Sequence, residues 1–178
     1  MLLEVRVQSL ALDRSTNTPV VILQEVDGER VLPIWIGPGE ASAIAMQLAD
    51  MEFSRPLTHD LLCSVLTGLG GALQKVIITK VEASTYYAEL IVRRNGEVFS
   101  LDARPSDSIA VALRVEARIF VQDDLLEEAT IDIAEGESAA EVTFDVQEGL
   151  TPQDAMGPEE LKEHLQRLNP EDFGRFTP

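Results

Sequence analysis

Near the start of the chain Leu3, Val5 and Val7 alternate with Glu4, Arg6 and Gln8. That two-residue period predicts a half-buried first strand. Residues 19–26 predict a second strand, and Asp27-Gly28 a two-residue hairpin turn with positive φ at both central positions. Residues 31–36 return as a third strand. Their apolar side chains fall on both faces, the pattern of a central strand covered on both sides. From Pro38 to about Ala49 the period becomes helical, with Ala41, Ile44, Ala45 and Leu48 in one stripe. Thr58 is the expected N-cap of a second helix. Its expected buried side is Leu61, Leu62, Val65, Leu66 and Leu69, and Gly68, Gly70 and Gly71 end it.

The pattern then starts again near Leu73. Strands are predicted at 75–82, 85–93 and 97–103, the last two joined at Asn95-Gly96. A helix follows from Pro105 to about Val115, then a short strand at 118–121. Residues 31–46 match residues 98–113 at a spacing of 67: Pro38 with Pro105, Glu40 with Asp107, Ala43-Ile44-Ala45-Met46 with Ala110-Val111-Ala112-Leu113. The expected fold class is therefore α+β, an internally duplicated β-β-β-α unit whose mixed, mostly antiparallel sheet packs against Ala-rich helices. The repeats span about 1–70 and 71–126, and residues 127–178 form an acidic extension. Within that extension the pattern predicts a hairpin from 131–133 and 142–146 and a short helix over 158–168. Asp123-Asp124-Leu125-Leu126 is a weak echo of His59-Asp60-Leu61-Leu62.

The 178 residues are 45% hydrophobic, enough for one ordinary globular domain. No apolar run is long enough to span a membrane, and the alternating start does not read as a signal peptide. A single cysteine, Cys63, fits a reducing compartment, so a cytoplasmic location is expected. Charge is unevenly placed. Residues 1–122 carry 15 acids against 11 Lys/Arg, a balance of −4, whereas residues 123–178 carry 16 against 3, a balance of −13, together giving the net −17. The near-neutral core has no strong basic patch, and an acidic tail repels phosphate backbones.

Several chemistries are excluded by motif. Gly37-Pro38-Gly39 lacks the spacing and the Lys-Ser/Thr of a P-loop. One cysteine and two separated histidines, His59 and His164, make no Cys/His zinc cluster. No nucleophile elbow is present, and no organic cofactor is indicated. What remains is a set of acids and arginines near helix starts. Glu40 and Asp107 each stand at the third helical position, where a carboxylate complements the helix dipole or binds a cation or a water. Asp102 stands at the end of a strand expected to be central, where an acid is costly unless paired, and Arg104 is the expected partner. His59 is suited to proton transfer. Arg55 suits either a phosphate or a backbone carbonyl. Cys63 reads as a buried thiol and Trp35 as core.

Three stretches carry a family resemblance: Leu32-Pro-Ile-Trp-Ile-Gly-Pro-Gly-Glu-Ala41, Arg55-Pro-Leu-Thr-His-Asp-Leu61 and Asp102-Ala-Arg-Pro-Ser-Asp-Ser-Ile-Ala110. With them, over roughly residues 3–125, the chain resembles the bifunctional nuclease domain family. Ser108 stands where the family's Arg-Pro-Ser-Asp stretch usually continues with alanine. The resemblance implies a duplicated α+β fold and nuclease activity on DNA and RNA. It brings no settled catalytic set.

Two functions follow as expectations. The first is hydrolysis of phosphodiester bonds with Mg²⁺ or Mn²⁺ held by Asp60, Asp102, Asp107 and Glu40. In it His59 moves protons, the acids Asp60, Asp102 and Asp107 act as bases or ligands, and Arg104 or Arg55 binds phosphate. The second is a non-enzymatic binding or regulatory module in which the same acids cap helices. Either way a homo-oligomer is expected, with DNA or RNA as partner under the first reading and no membrane partner.

Overall fold

The computed structural model describes residues 1–13 and 16–127. The hairpin and helix expected within the acidic extension lie outside them. The strands are β1 (Leu2–Asp13), β2 (Thr18–Glu25), β3 (Val31–Trp35), β4 (Gly71–Glu82), β5 (Thr85–Arg94), β6 (Glu97–Ala103) and β7 (Arg118–Gln122). The helices are α1 (Pro38–Leu48), α2 (Thr58–Gly68) and α3 (Pro105–Val115), with a short α4 over 123–127. One seven-stranded sheet runs in the order β3-β2-β1-β7-β4-β5-β6. All pairings are antiparallel except β4 with β7. The fold is α+β with a mixed, mostly antiparallel sheet, as the periodicity predicts.

The order β-β-β-α occurs in both halves, and the meanders β3-β2-β1 and β4-β5-β6 flank β7. The halves also differ, since α2 lies between α1 and β4 while β7 follows α3. A recurring order of elements is less than the internal duplication read from the sequence. The short strand at 118–121 is the centre of the sheet, joining the two meanders.

The core lies between one face of the sheet and the helices. Val5, Leu23, Leu32, Val76, Ile78, Ile119 and Val121 meet Ile44, Ile109, Ala110 and Ala112, all nearly inaccessible. Small residues on α3 let that helix approach closely: Ala110 and Ala112 are wholly buried, and seven of its residues are buried in all. At its end Glu116 takes the left-handed conformation, φ 54°, and the Ala117 N–H closes on the Ala112 carbonyl.

Several expectations change here. The strands at 31–36 and 97–103 are not central. β3 and β6 are the two edges of the sheet. Burial of Leu32 and Ile34 on one face and of Pro33 on the other shows why β3 misleads: an edge in the hydrogen-bonding direction can still be covered on its faces. Trp35 is 48% exposed, and its indole Nε1 donates to Asp13 at 3.0 Å. Gly28 does not take positive φ. The loop is longer than two residues, with the Glu25 N–H bonded to the Arg30 carbonyl at 3.0 Å, and the Arg30 Nε–Glu25 pair at 2.9 Å clasps its base. The second half keeps the two-residue turns, Ala83-Ser84 and Asn95-Gly96, all four with positive φ.

α2 departs most from its pattern. No residue of it is buried. Leu61, Leu62, Val65 and Leu69 are exposed, and the side turned to the protein is His59, Asp60, Cys63 and Leu66. Thr58 is the first helical residue, not the cap. The N-cap is Leu57, whose N–H is accepted by the Asp60 carboxylate at 2.8 Å.

Candidate active site

Three helix entrances meet at one place. Gly37-Pro38 starts α1 and Arg104-Pro105 starts α3, with proline at the first helical position in each, where its missing N–H is no loss. The third-position carboxylates, Glu40 and Asp107, are thereby set at neighbouring helix ends. Arg104 bridges them: its Nη1 lies 2.9 Å from Glu40 Oε1 and its Nε 2.8 Å from Asp107 Oδ2. The other oxygen of Asp107 lies 3.0 Å from His59 Nε2, at the start of α2. Glu40, Arg104, Asp107 and His59 thus form one chain of contacts across three elements.

Electrostatics assigns the proton in that chain. Partial burial works to raise the Asp107 pKa, but the Arg104 and His59 hydrogen bonds outweigh it, and the carboxyl titrates below its ordinary value. An ionised carboxylate only accepts. His59 Nε2 is therefore the N–H donor in this contact. The His59 side chain is 13% exposed, so its ring is largely shielded from water. Arg104, in contrast, is 66% exposed, and among the described residues its Nε and Nη1 meet the carboxylates while its remaining N–H groups suit an anion.

Asp60, next to His59, turns the other way. Its Oδ1 accepts from Arg114 Nε at 2.5 Å while its Oδ2 holds the Leu57 N–H. Arg114 is the buried member, with a side chain 7% exposed. Its Nη1 donates to the Ala110 carbonyl at 2.8 Å and its Nη2 to the Ala43 carbonyl of α1 at 3.3 Å. One guanidinium therefore ties α1, α2 and α3 together. The sequence reading missed Arg114. Its signal was the seven-residue spacing from Asp107, which returns a helical side chain to the same face after two turns.

Asp102 does not join the cluster. Its register partner is Glu89, whereas the neighbouring Leu101 pairs with Leu90 on the helix side. Alternation puts Asp102 on the opposite face of the sheet from the helices, and it is exposed there. The expected Asp102–Arg104 pair gives way to Arg104 with Glu40 and Asp107. Arg55 is exposed on the segment between α1 and α2. Cys63 is half-buried, and burial pushes its thiol pKa up. Among the described residues no three His, Cys, Asp or Glu side chains converge as metal ligands. The carboxylates of Glu40 and Asp107 are instead bridged by a guanidinium.

Known proteins match this chain over the same region. A family model described as the bifunctional nuclease domain matches residues 21–134. The "Uncharacterized protein Rv1829" of Mycobacterium tuberculosis is 42% identical over 170 residues, 96% of this chain and 97% of its own length. "Bifunctional nuclease 2" of Oryza sativa subsp. japonica is 27% identical over 122 residues, 66% of this chain and 38% of its own. "Bifunctional nuclease 1" of Arabidopsis thaliana is 27% identical over 107 residues, 58% of this chain and 33% of its own. The plant proteins are thus distant relatives, matched over about a third of their length. These matches support a nuclease-like function. No helix among the described residues is long and apolar enough to cross a membrane.

Proposed function

The chain belongs to the bifunctional nuclease domain family, and on that premise we propose that it hydrolyses phosphodiester bonds of DNA or RNA, as a homo-oligomer, at the cluster of His59, Asp107, Arg104 and Glu40. The observation that carries the reading is the His59–Asp107 contact of 3.0 Å beside a largely exposed arginine. Asp107 fixes the ring with Nε2 protonated. His59 Nδ1 then takes the proton from the attacking water as it approaches phosphorus, and the resulting imidazolium is stabilised by the same carboxylate. The exposed N–H groups of Arg104 engage the phosphate oxygens, on which negative charge grows. Glu40 holds Arg104 in place. Asp60 supports the ring indirectly, through Arg114 and the start of α2.

Mg²⁺ and Mn²⁺ enter this reading as additions to be tested. The arrangement brings two carboxylates, Glu40 and Asp107, to one guanidinium and gathers no third ligand among the described residues, so no step above runs through a metal.

The test is cleavage of single- and double-stranded DNA and of RNA by highly purified protein, with Mg²⁺, with Mn²⁺ and with chelator. His59→Ala is expected to lower cleavage at least about 100-fold, the usual contribution of a positioned base. Arg104→Ala is expected to weaken substrate binding as well. Unchanged cleavage in His59→Ala would remove His59 from the chemistry. Cleavage abolished by chelator would bring a metal into it. Protein that cuts nothing under any condition would establish the binding-module reading in its place.

A further inference from the structure

The carboxylates around His59 are already engaged. Asp107 Oδ1 meets His59 Nε2 at 3.0 Å, and its Oδ2 accepts from Arg104 Nε at 2.8 Å. Glu40 Oε1 lies 2.9 Å from Arg104 Nη1. Asp60, next in sequence to His59, accepts from Arg114 Nε on one oxygen and from the Leu57 N–H on the other. A divalent cation held by Glu40 and Asp107 would compete with the Arg104 guanidinium for the same oxygens. No third His, Cys, Asp or Glu joins those two among the described residues. The donor set fits a guanidinium better than a metal ion.

That distribution bears on the nucleophile. A water that attacks phosphorus must be deprotonated and also held in line, and bound metal ions commonly do both. Two groups of the cluster have capacity left. One is the His59 ring nitrogen turned from Asp107, Nδ1. The other is the outward part of Arg104, whose side chain is 66% exposed. Between them they can take a proton and grip a phosphate. They suffice for a substrate that brings its own nucleophile.

We infer that the substrate is RNA and that its ribose 2′-hydroxyl takes the place of the attacking water, an inference that rests on reading His59 as base and Arg104 as phosphate ligand. His59 Nδ1 takes the hydroxyl proton as the O2′–P bond forms. The P–O5′ bond breaks with its electron pair on O5′. That oxygen takes a proton from water, and the imidazolium returns its own to solvent. One product ends in a 2′,3′-cyclic phosphate and the other begins with a 5′-hydroxyl, with nothing oxidised or reduced. Arg104 offsets the charge that grows on the non-bridging oxygens. Asp107, kept ionised by its Arg104 and His59 hydrogen bonds, steadies the imidazolium.

A tethered nucleophile acts at an effective concentration of up to about 10⁵ to 10⁸ M, which stands in for the positioning a metal would give a water. DNA carries no such hydroxyl, so the same two groups leave it without an attacking atom.

The test uses highly purified full-length protein in chelator, with an RNA oligonucleotide, DNA of the same sequence, and the RNA with one 2′-deoxy nucleotide at a mapped cleavage position. RNA is expected to be cut at least about 1,000-fold faster than DNA. Mass spectrometry is expected to find cyclic phosphate and 5′-hydroxyl ends, and the deoxy substitution to abolish cleavage at its position alone. His59→Gln, prepared identically and checked for folding by circular dichroism, is expected to lose about 100-fold or more. RNA ends carrying 3′-hydroxyl and 5′-phosphate, or DNA cut as fast as RNA, would overturn the inference and leave His59 as base for a water. Cleavage only with added Mg²⁺ or Mn²⁺ would overturn it through the donor set. Undiminished cleavage in His59→Gln would assign the activity to a contaminant, and no cleavage of either polymer would remove the nuclease reading itself; both would overturn the inference.

Discussion

At Asp60 opposing effects act on one carboxylate. Partial burial raises its pKa, while the Arg114 guanidinium and the Leu57 N–H lower it and prevail. Asp107 repeats the balance with Arg104 and His59. Both carboxyls are thus lowered by folding relative to their unfolded values near 4. Their stabilisation is complete above that value and is lost as the pH falls through the lower, folded values. Thermal melts are accordingly expected to be flat from pH 7 to 5 and to decline below about 4. Asp60→Asn leaves the buried Arg114 charge without its counter-ion and is expected to cost about 3 kcal/mol at pH 7, with a shallower acid decline than wild type. Urea denaturation at pH 7 and pH 3 measures both. Equal acid sensitivity in the two proteins would show that the pair is not what titrates.

α3 is the element on which the site rests. It carries Asp107 and Arg114 at its ends and is buried along most of its length. Within it Ser108 is wholly buried, and its Oγ has no hydrogen-bond partner among the described residues. A buried hydroxyl in that state is a liability of about 1 kcal/mol. Ser108→Ala is expected to stabilise the protein by up to about that amount, since alanine also favours the helix. A chemical denaturation midpoint reads the change, and destabilisation would mean that the hydroxyl has found a partner. α2 is the contrasting element. It holds His59 and Asp60 inward while its leucines face out, so its sequence stripe and its buried side are different faces.

On the scale of the whole molecule, charge separates two regions. The core through residue 122 is close to neutral and residues 123–178 carry −13 of the −17. Removing residues 128–178 leaves Leu125 and Leu126 in place in the core. The shortened chain is expected to bind single-stranded nucleic acid more tightly at low salt, and the gain is expected to shrink as ionic strength screens the tail. Fluorescence anisotropy against salt concentration checks this. A gain independent of salt would point to a cause other than charge.

Local patterns sufficed for much of this protein. Alternation placed most strands to within a few residues, Asn95-Gly96 set its own turn, and Pro38 and Pro105 marked two helix starts with Glu40 and Asp107 in their first turns. Those features depend on neighbours in the chain, through backbone sterics and helix-end electrostatics, and so they can be read along it. Which strands are edges, which side of α2 is covered and where Asp102 points depend on pairings between distant segments. Strand 118–121 takes the middle of the sheet and sends 31–36 and 97–103 to its borders, which no local period encodes. The site was legible in part. His59, Arg104, Asp107 and Glu40 stood out as chemistry near helix starts, but their convergence, and the tie that Arg114 makes among the helices, came only from three helices meeting. Residue types and spacing determined what each element is. The tertiary structure decided which elements are neighbours, because burial is shared among segments far apart in sequence.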